Sequence, residues 1–402
     1  MRIESGRDPV KWRSALSSAS SVEAAVKEVS SDLSADFPDG IDLMLIFVSP
    51  QHALRYREVA LMLHESLEIR ELIGCSGGGV AGAGREVESG PVLSVVAARL
   101  PEVGVRSFAL DGEAVLDLAK SERGWQDLLD LEAEHEPVFV LLANPFECPV
   151  EAYVDGLDRA FPDSKKLGGL ASGGSGKESV ALFLRSGVEE AGAVGVALWG
   201  DVAVETAVAQ GCRPIGVPFI LTHCENNLAV QLDGKPALHA LDQVYGNLTP
   251  ADRERFRRSP HVGIGLHAGK SPYRQGDYLL RNVLGVDRER GVVAIGAHLQ
   301  VGMEVRFHIR DAETSAEDVE AVLSRASDRV SGVCGALFFS CLGRGQGLYQ
   351  SSGYDSSVFR KHFGDIALGG FFGNGEIGPV QGKTYLHGYT SVFGLFRPRG
   401  WS

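Results

Sequence analysis

Four short stretches of this sequence hold residue types that could do chemistry together. The first is Cys341-Leu342-Gly343-Arg344-Gly345. A cysteine closing an apolar run sits where open α/β sheets place their ligands. Arg344 could hold a carboxylate through two parallel hydrogen bonds, and a guanidinium near Cys341 would favour the thiolate. A nucleophilic Cys341 also needs a base; His387 is a candidate by residue type. The competing reading is a small buried thiol beside a surface arginine. The second stretch is Asn374-Gly375-Glu376. Asn-Gly marks a tight turn, yet Glu376 is a charge inside an apolar, glycine-rich segment and wants a partner if buried. Arg344, Arg281 or a ligand ammonium could supply one. The third is Gly74-Cys75-Ser76-Gly77-Gly78-Gly79, echoed by Gly369-Gly370. It lacks the lysine of a phosphate-binding loop, and strand character follows it, so no helix N-terminus faces an anion. It reads either as close strand packing or as the bare backbone wall of a small-ligand pocket. The fourth is Arg281-Asn282, two polar residues interrupting an apolar strand. His261, His267, His298 and His308 lack metal-ligand spacing, and none of the six cysteines forms a CxxC pair. No metal, no cofactor and no catalytic residue is expected.

The elements that must position these residues repeat. A buried strand over 43–49 is followed by a helix over 53–67 and the glycine segment at 74–79. A second strand over 137–144 leads to a helix over 150–161 and glycines at 168–174. A third over 335–341 leads to a helical region over 356–363 and glycines at 369–378. Paired strands follow each. The Ser49–Gly74 and Ala143–Gly168 intervals are equal, and Ser340–Gly369 is about one helical turn longer. Three such copies read as duplicated α/β half-domains. Before them, Ser20-Ser21 predicts a cap for a helix with Val22, Ala25, Val26, Val29 and Leu33 on one face. The region between copies two and three has another texture, with strands near 231, 276–285, 292–299 and 303–309, and a helix over 316–327.

Composition sets the outer bounds. The chain has 402 residues, 44% hydrophobic and 23% charged, as in an ordinary globular protein. A net charge of -13 opposes nucleic-acid binding. The one basic run, Arg253 to Arg258, reads as a solvated helix face. No apolar run is long enough to span a membrane, and the first residues lack a signal-peptide core. Unpaired cysteines fit a reducing compartment. The expected location is the cytoplasm. Glycine is the outlier, 50 residues against 17 prolines, and much of it falls in the repeated turns.

In order and spacing these segments resemble the FIST domain proteins. The resemblance rests on 42–49 with Ile73 to Gly77, then Leu232 to Ala237, Leu280-Arg281-Asn282, Phe339 to Gly345, Gly370 to Pro379 and Leu386 to Thr390. It implies a FIST N-terminal domain over 40–215 and a FIST C-terminal domain over 216–402, without an F-box; residues 1–39 before them read as a lead-in helix. The expected fold is α/β, two similar domains with mixed β-sheets flanked by helices. Their glycine segments are expected to face a shared cleft. The implied function is small-ligand sensing in signal transduction, an amino acid being one candidate ligand and a signalling protein a candidate partner. The expected ligand-binding residues are Gly74, Cys75, Ser76, Gly77, Arg281, Asn282, Cys341, Arg344, Gly369, Gly370, Asn374 and Glu376. Arg281 and Arg344 would take a carboxylate and Glu376 an ammonium. The alternatives are an adaptor resembling the substrate-recognition part of FIST-containing F-box proteins, and an enzyme using Cys341.

Overall fold

A computed structural model describes residues 10–176, 179–189, 192–265 and 276–400. His267 and residues 1–9 of the lead-in lie outside the described residues. The chain divides into two compact units: Met1–Val208 with Glu320–Ser402, and Ala209–Val319. All three copies of the repeat lie in the first unit.

Each copy folds as expected from its apolar runs. Strand Ile41–Val48, helix Tyr56–Ser66 and strand Ile69–Ser76 form the first copy. Val138–Ala143, Val150–Ala160 and Lys166–Leu170 form the second. Gly335–Cys341, Tyr354–Phe363 and Ala367–Gly373 form the third. In every copy the two strands pair in parallel, and a later strand (Leu93–Arg99, Ala193–Gly200 or Ser391–Arg397) pairs antiparallel with the first. The central strands are continuous apolar runs because both faces are covered. Leu43, Leu45 and Phe47 enter a core shared with Val140, Leu142, Leu337 and Phe339 of the other copies. Met44, Ile46 and Val48 pack outward under helices Val22–Ser34 and Tyr56–Ser66.

After each glycine segment the chain leaves its own sheet. Gly79–Gly82, after the first, pairs with Ala367–Gly373 of the third copy. Leu182–Leu184, after the second, pairs with Ile69–Ser76 of the first. Glu376–Val380, after the third, pairs with Lys166–Leu170 of the second. The exchange is cyclic and yields three six-stranded sheets. Periodicity within one copy carries no trace of it.

The predicted N-terminal helix is Val22–Ser34, with the Ser21 side chain accepting from the Ala24 amide and the five predicted apolar residues buried. Sequence reading missed strand Lys11–Ser17, which extends the first sheet beside Leu93–Arg99. It also missed helices Gly112–Leu118 and Glu122–Leu129.

The second unit is a closed barrel. Its strands run Cys212–Glu225, Glu304–Arg310, His261–Gly265, Tyr278–Asp287, Val292–Ile295 and Leu228–Leu232, and the last pairs again with the first. Closure removes free sheet edges. Val262, Ile264, Val305 and Phe307 join Leu238 and Phe256 from the two covering helices in its core. The basic run forms helix Pro250–Arg258, in which only Phe256 is buried.

Candidate functional site

The glycine segments serve strand contact first. A Cβ on Gly74 would lie 2.2 Å from the Ile46 carbonyl oxygen. The same atom would lie 1.8 Å from Leu141 O at Gly168 and 1.6 Å from Phe338 O at Gly370. These are the three registered positions where the parallel strands touch, so glycine is required there for packing. The true counterpart of Gly74 and Gly168 is therefore Gly370 rather than Gly369.

Just beyond, the three turns bond to one another. Ser172 N–H donates to Ser76 O at 3.0 Å, and Asn374 N–H to Leu170 O at 3.1 Å. The third closure runs through a side chain: Gly78 N–H donates to Ser172 Oγ at 2.8 Å, and that hydroxyl donates to Phe372 O at 2.5 Å. Ser76 Oγ donates to Ser172 O and accepts from Ala181 N–H. Thus the expected cleft between two domains is not how the glycines are used. They interlock inside one unit, and Gly74, Cys75, Ser76 and Gly77 are all buried. Burial pushes the Cys75 thiol well above its usual range.

The polar residues of the third copy gather around the segment 387–391. Thr390 donates through its amide and its hydroxyl to Glu376 Oε2, at 3.1 and 2.7 Å. The Cys341 amide donates to Thr390 O, and Arg344 Nη1 donates to Tyr389 O at 3.4 Å. Ser391 Oγ donates to Asp355 Oδ2 at 2.7 Å and meets Ser340 Oγ at 3.0 Å. Tyr389 holds φ of 68°, a strained value for a bulky residue, and such strain persists only where surroundings impose it. Glu376 faces His387 across the strand pair, while His387 Nε2 lies 3.0 Å from Gly378 O.

Arg344 is fully buried, and its Nε meets Asp355 Oδ2 at 2.9 Å. Nη2 donates to Asp355 Oδ1 and to the Tyr349 hydroxyl. Burial would raise the Asp355 carboxyl; the guanidinium overrides it and holds the carboxyl below its ordinary value. The carboxylate that Arg344 grips in this structure is Asp355, not an open position for a ligand.

Two acids from the first copy complete this cluster. Glu86 Oε1 accepts the Ser356 amide at 2.6 Å, and both Glu88 oxygens accept the Gln346 amide. These are orphan donors in the first turns of helices Tyr354–Phe363 and Gly345–Tyr349. Burial, with the Asp355 charge second, raises the Glu86 carboxyl to about 7.

Beside the cluster lies an open groove of about 450 Å³, lined among others by Arg13, Ser14, Gly84, Phe359, Arg360 and Leu368. Arg360 Nη2 donates to Gly84 O at 2.9 Å and its Nε lies 3.5 Å from Asp365. Arg13 Nε meets Asp36 at 2.9 Å. Both guanidiniums are half exposed.

Ten of the twelve expected ligand-binding residues lie in the first unit. Arg281 and Asn282 lie in the barrel, where their register partners are Val262 and His261. Arg281 Nη1 donates to Leu280 O. Asn374 is the exposed residue of the third turn, and its side chain donates to Ala171 O. Sequence reading missed Asp355, Glu86, Arg13 and Arg360. Glu86 and Asp355 are distant in the chain and meet only through the strand exchange, so no spacing could reveal them. His261 and His308 are buried in the barrel, and burial lowers both imidazoles to about 4. Among the described residues no group of acids, histidines or cysteines could hold a metal ion. No described helix is long and apolar enough to cross a membrane.

A family model for the FIST N domain matches residues 42–235, and one for the FIST C domain matches 237–379. The chain belongs to the FIST family, whose domains are associated with sensing in signal transduction. It is 31% identical over 388 residues to an uncharacterized protein of Mycobacterium tuberculosis, covering 95% of this chain and 98% of that one. It is 35% identical over 75 residues to F-box only protein 22 of Homo sapiens, 15% of this chain and 19% of that one. A solved cyanuric acid hydrolase from A. caulinodans aligns over 96% of this chain and 99% of its own, at 10% identity and a TM-score of 0.37. That likeness carries no argument.

Proposed function

We propose that this protein is a cytoplasmic small-ligand sensor and that its ligand enters the groove beside helix Tyr354–Phe363. The groove carries this reading. It is an open cavity large enough for a small metabolite, with guanidiniums on its wall and Phe359 and Leu368 among its lining. Arg13 and Arg360 would take a ligand carboxylate, the role first expected of Arg281 and Arg344. Asp365 at the rim offers an ammonium partner, so an amino acid is a fitting ligand class. Arg344 and Glu376 then belong to the interior that responds to occupancy, and a signalling protein would read the response.

A thermal-shift panel of amino acids and small organic acids tests this. Binding at about a hundred times Kd should stabilise by about 2.7 kcal/mol, a shift of several degrees. Arg360→Ala should abolish it. A panel without any shift, or shifts unchanged in Arg360→Ala, would remove the groove from consideration. The match to F-box only protein 22 favours a second reading, an adaptor that binds another protein. Recovery of a stoichiometric protein partner, with no ligand response, would favour it.

A further inference from the structure

Glu86 is an unusual carboxylate in this molecule. It is only 7% exposed. Its Oε1 accepts the Ser356 amide, while Oε2 has no hydrogen-bond partner among the described residues. The groups facing it are Asp355 and Ser356 on the helix and Glu88 at the end of its own hairpin. Through Asp355 come Arg344 and Tyr349. Arg85 and Arg360 are committed elsewhere, to Leu16 O and to Gly84 O. Glu86 and Glu88 thus both face the Asp355 carboxylate, whose own guanidinium partner is Arg344. A buried carboxylate oxygen without a donor is costly when ionised and far less so when protonated.

The elements that Glu86 joins are the elements of the groove. Its hairpin, Gly79–Gly82 with Arg85–Val87, contributes Ala83 and Gly84 to the wall. The helix it caps contributes Ser356, Phe359 and Arg360. We propose that Glu86 is a proton-controlled clamp. While protonated it holds the hairpin of the first copy onto the helix of the third; on ionisation the hairpin loosens and the groove loses its shape. The clamp itself stands on the geometry of Glu86 alone. Its consequence for ligand binding rests on the groove reading above.

The direction follows from linkage. A carboxyl raised on folding contributes stability that is complete below its ordinary value and is lost as pH climbs through the raised one. That window here runs from about 4.5 to about 7. Buried histidines such as His261 and His308 give the opposite trend, so the comparison must be made against Glu86→Gln. This near-isosteric change keeps the acceptor for Ser356 and mimics the protonated acid.

Hydrogen exchange of the 402-residue chain between about pH 5.5 and about pH 8, corrected for intrinsic rates, provides the test. In the wild type, residues 79–88 and 354–363 should exchange roughly tenfold faster at the higher pH. Glu86→Gln should be flat in both segments, and Glu88→Gln should behave as wild type. A wild type without this change, or a Glu86→Gln protein that retains it, would overturn the clamp whatever the ligand is. The second arm replaces chloride by sulfate, a non-titrating anion, at constant ionic strength, with Arg360→Ala as blank. Sulfate should stabilise the wild type more at the lower pH, and Glu86→Gln equally at both. Flat sulfate responses alongside pH-dependent exchange would leave the clamp standing and overturn its link to the groove.

Discussion

At the residue scale, Arg344 shows how far a side chain's chemistry can be read without its neighbours. The residue type and the glycine-flanked loop suggest an arginine that holds a ligand carboxylate at the end of a buried strand. The carboxylate turns out to be the protein's own Asp355, eleven residues on and already at bidentate range. Replacing one partner of a buried pair leaves the other charge uncompensated, a cost of about 3–5 kcal/mol. Arg344→Ala should therefore lower the urea midpoint substantially at neutral pH. If Arg344 instead served an external ligand, the variant would lose ligand response while keeping its midpoint. Glu376 behaves likewise. Its need for a partner if buried was legible; that it is buried, and that Thr390, fourteen residues along beside the strained Tyr389, donates to it twice, was not.

Elements were the most legible level, because buried parallel strands read as continuous apolar runs and their helices as 3.6-residue stripes. The three copies were visible for this reason. What the sequence left open was the meaning of the glycines. Steric accounting at Gly74, Gly168 and Gly370 resolves it in favour of strand contact, since each faces a neighbouring carbonyl oxygen at an impossible distance for a Cβ. The ring of turns beyond them was not legible, since two of its closures are backbone bonds that any residue could make. The third depends on Ser172. Ser172→Ala would remove the hydroxyl that the part-buried Gly78 amide and the buried Phe372 carbonyl both use, at about 1–3 kcal/mol. A fall in thermal midpoint of a few degrees in the variant checks this. An unchanged midpoint would show that the ring closes without the hydroxyl.

For the whole molecule, pattern and space divide the chain differently. The two family segments meet near residue 236, whereas the compact units part after Val208 and rejoin at Glu320. The third copy lies beyond an inserted barrel yet completes the unit begun by the first two. A sheet's periodicity says which face is buried, not which distant strand will lie beside it, so this pairing had to come from the structure.

The strand exchange also constrains how the chain can be made. The second sheet has its glycine strand, Lys166–Leu170, early in synthesis, but that strand's neighbour, Glu376–Val380, emerges some two hundred residues later. Until then a buried-type edge stands unpaired, and such edges recruit other chains. A shortened chain ending at residue 235 should consequently form oligomers or aggregates on size-exclusion chromatography, whereas the 402-residue chain should not. A well-behaved monomer from the shortened chain would show that the edge is protected by other means. If the shortened chain does aggregate, the edge of Lys166–Leu170 is the defined strand that a holding chaperone would have to cover until the third copy emerges.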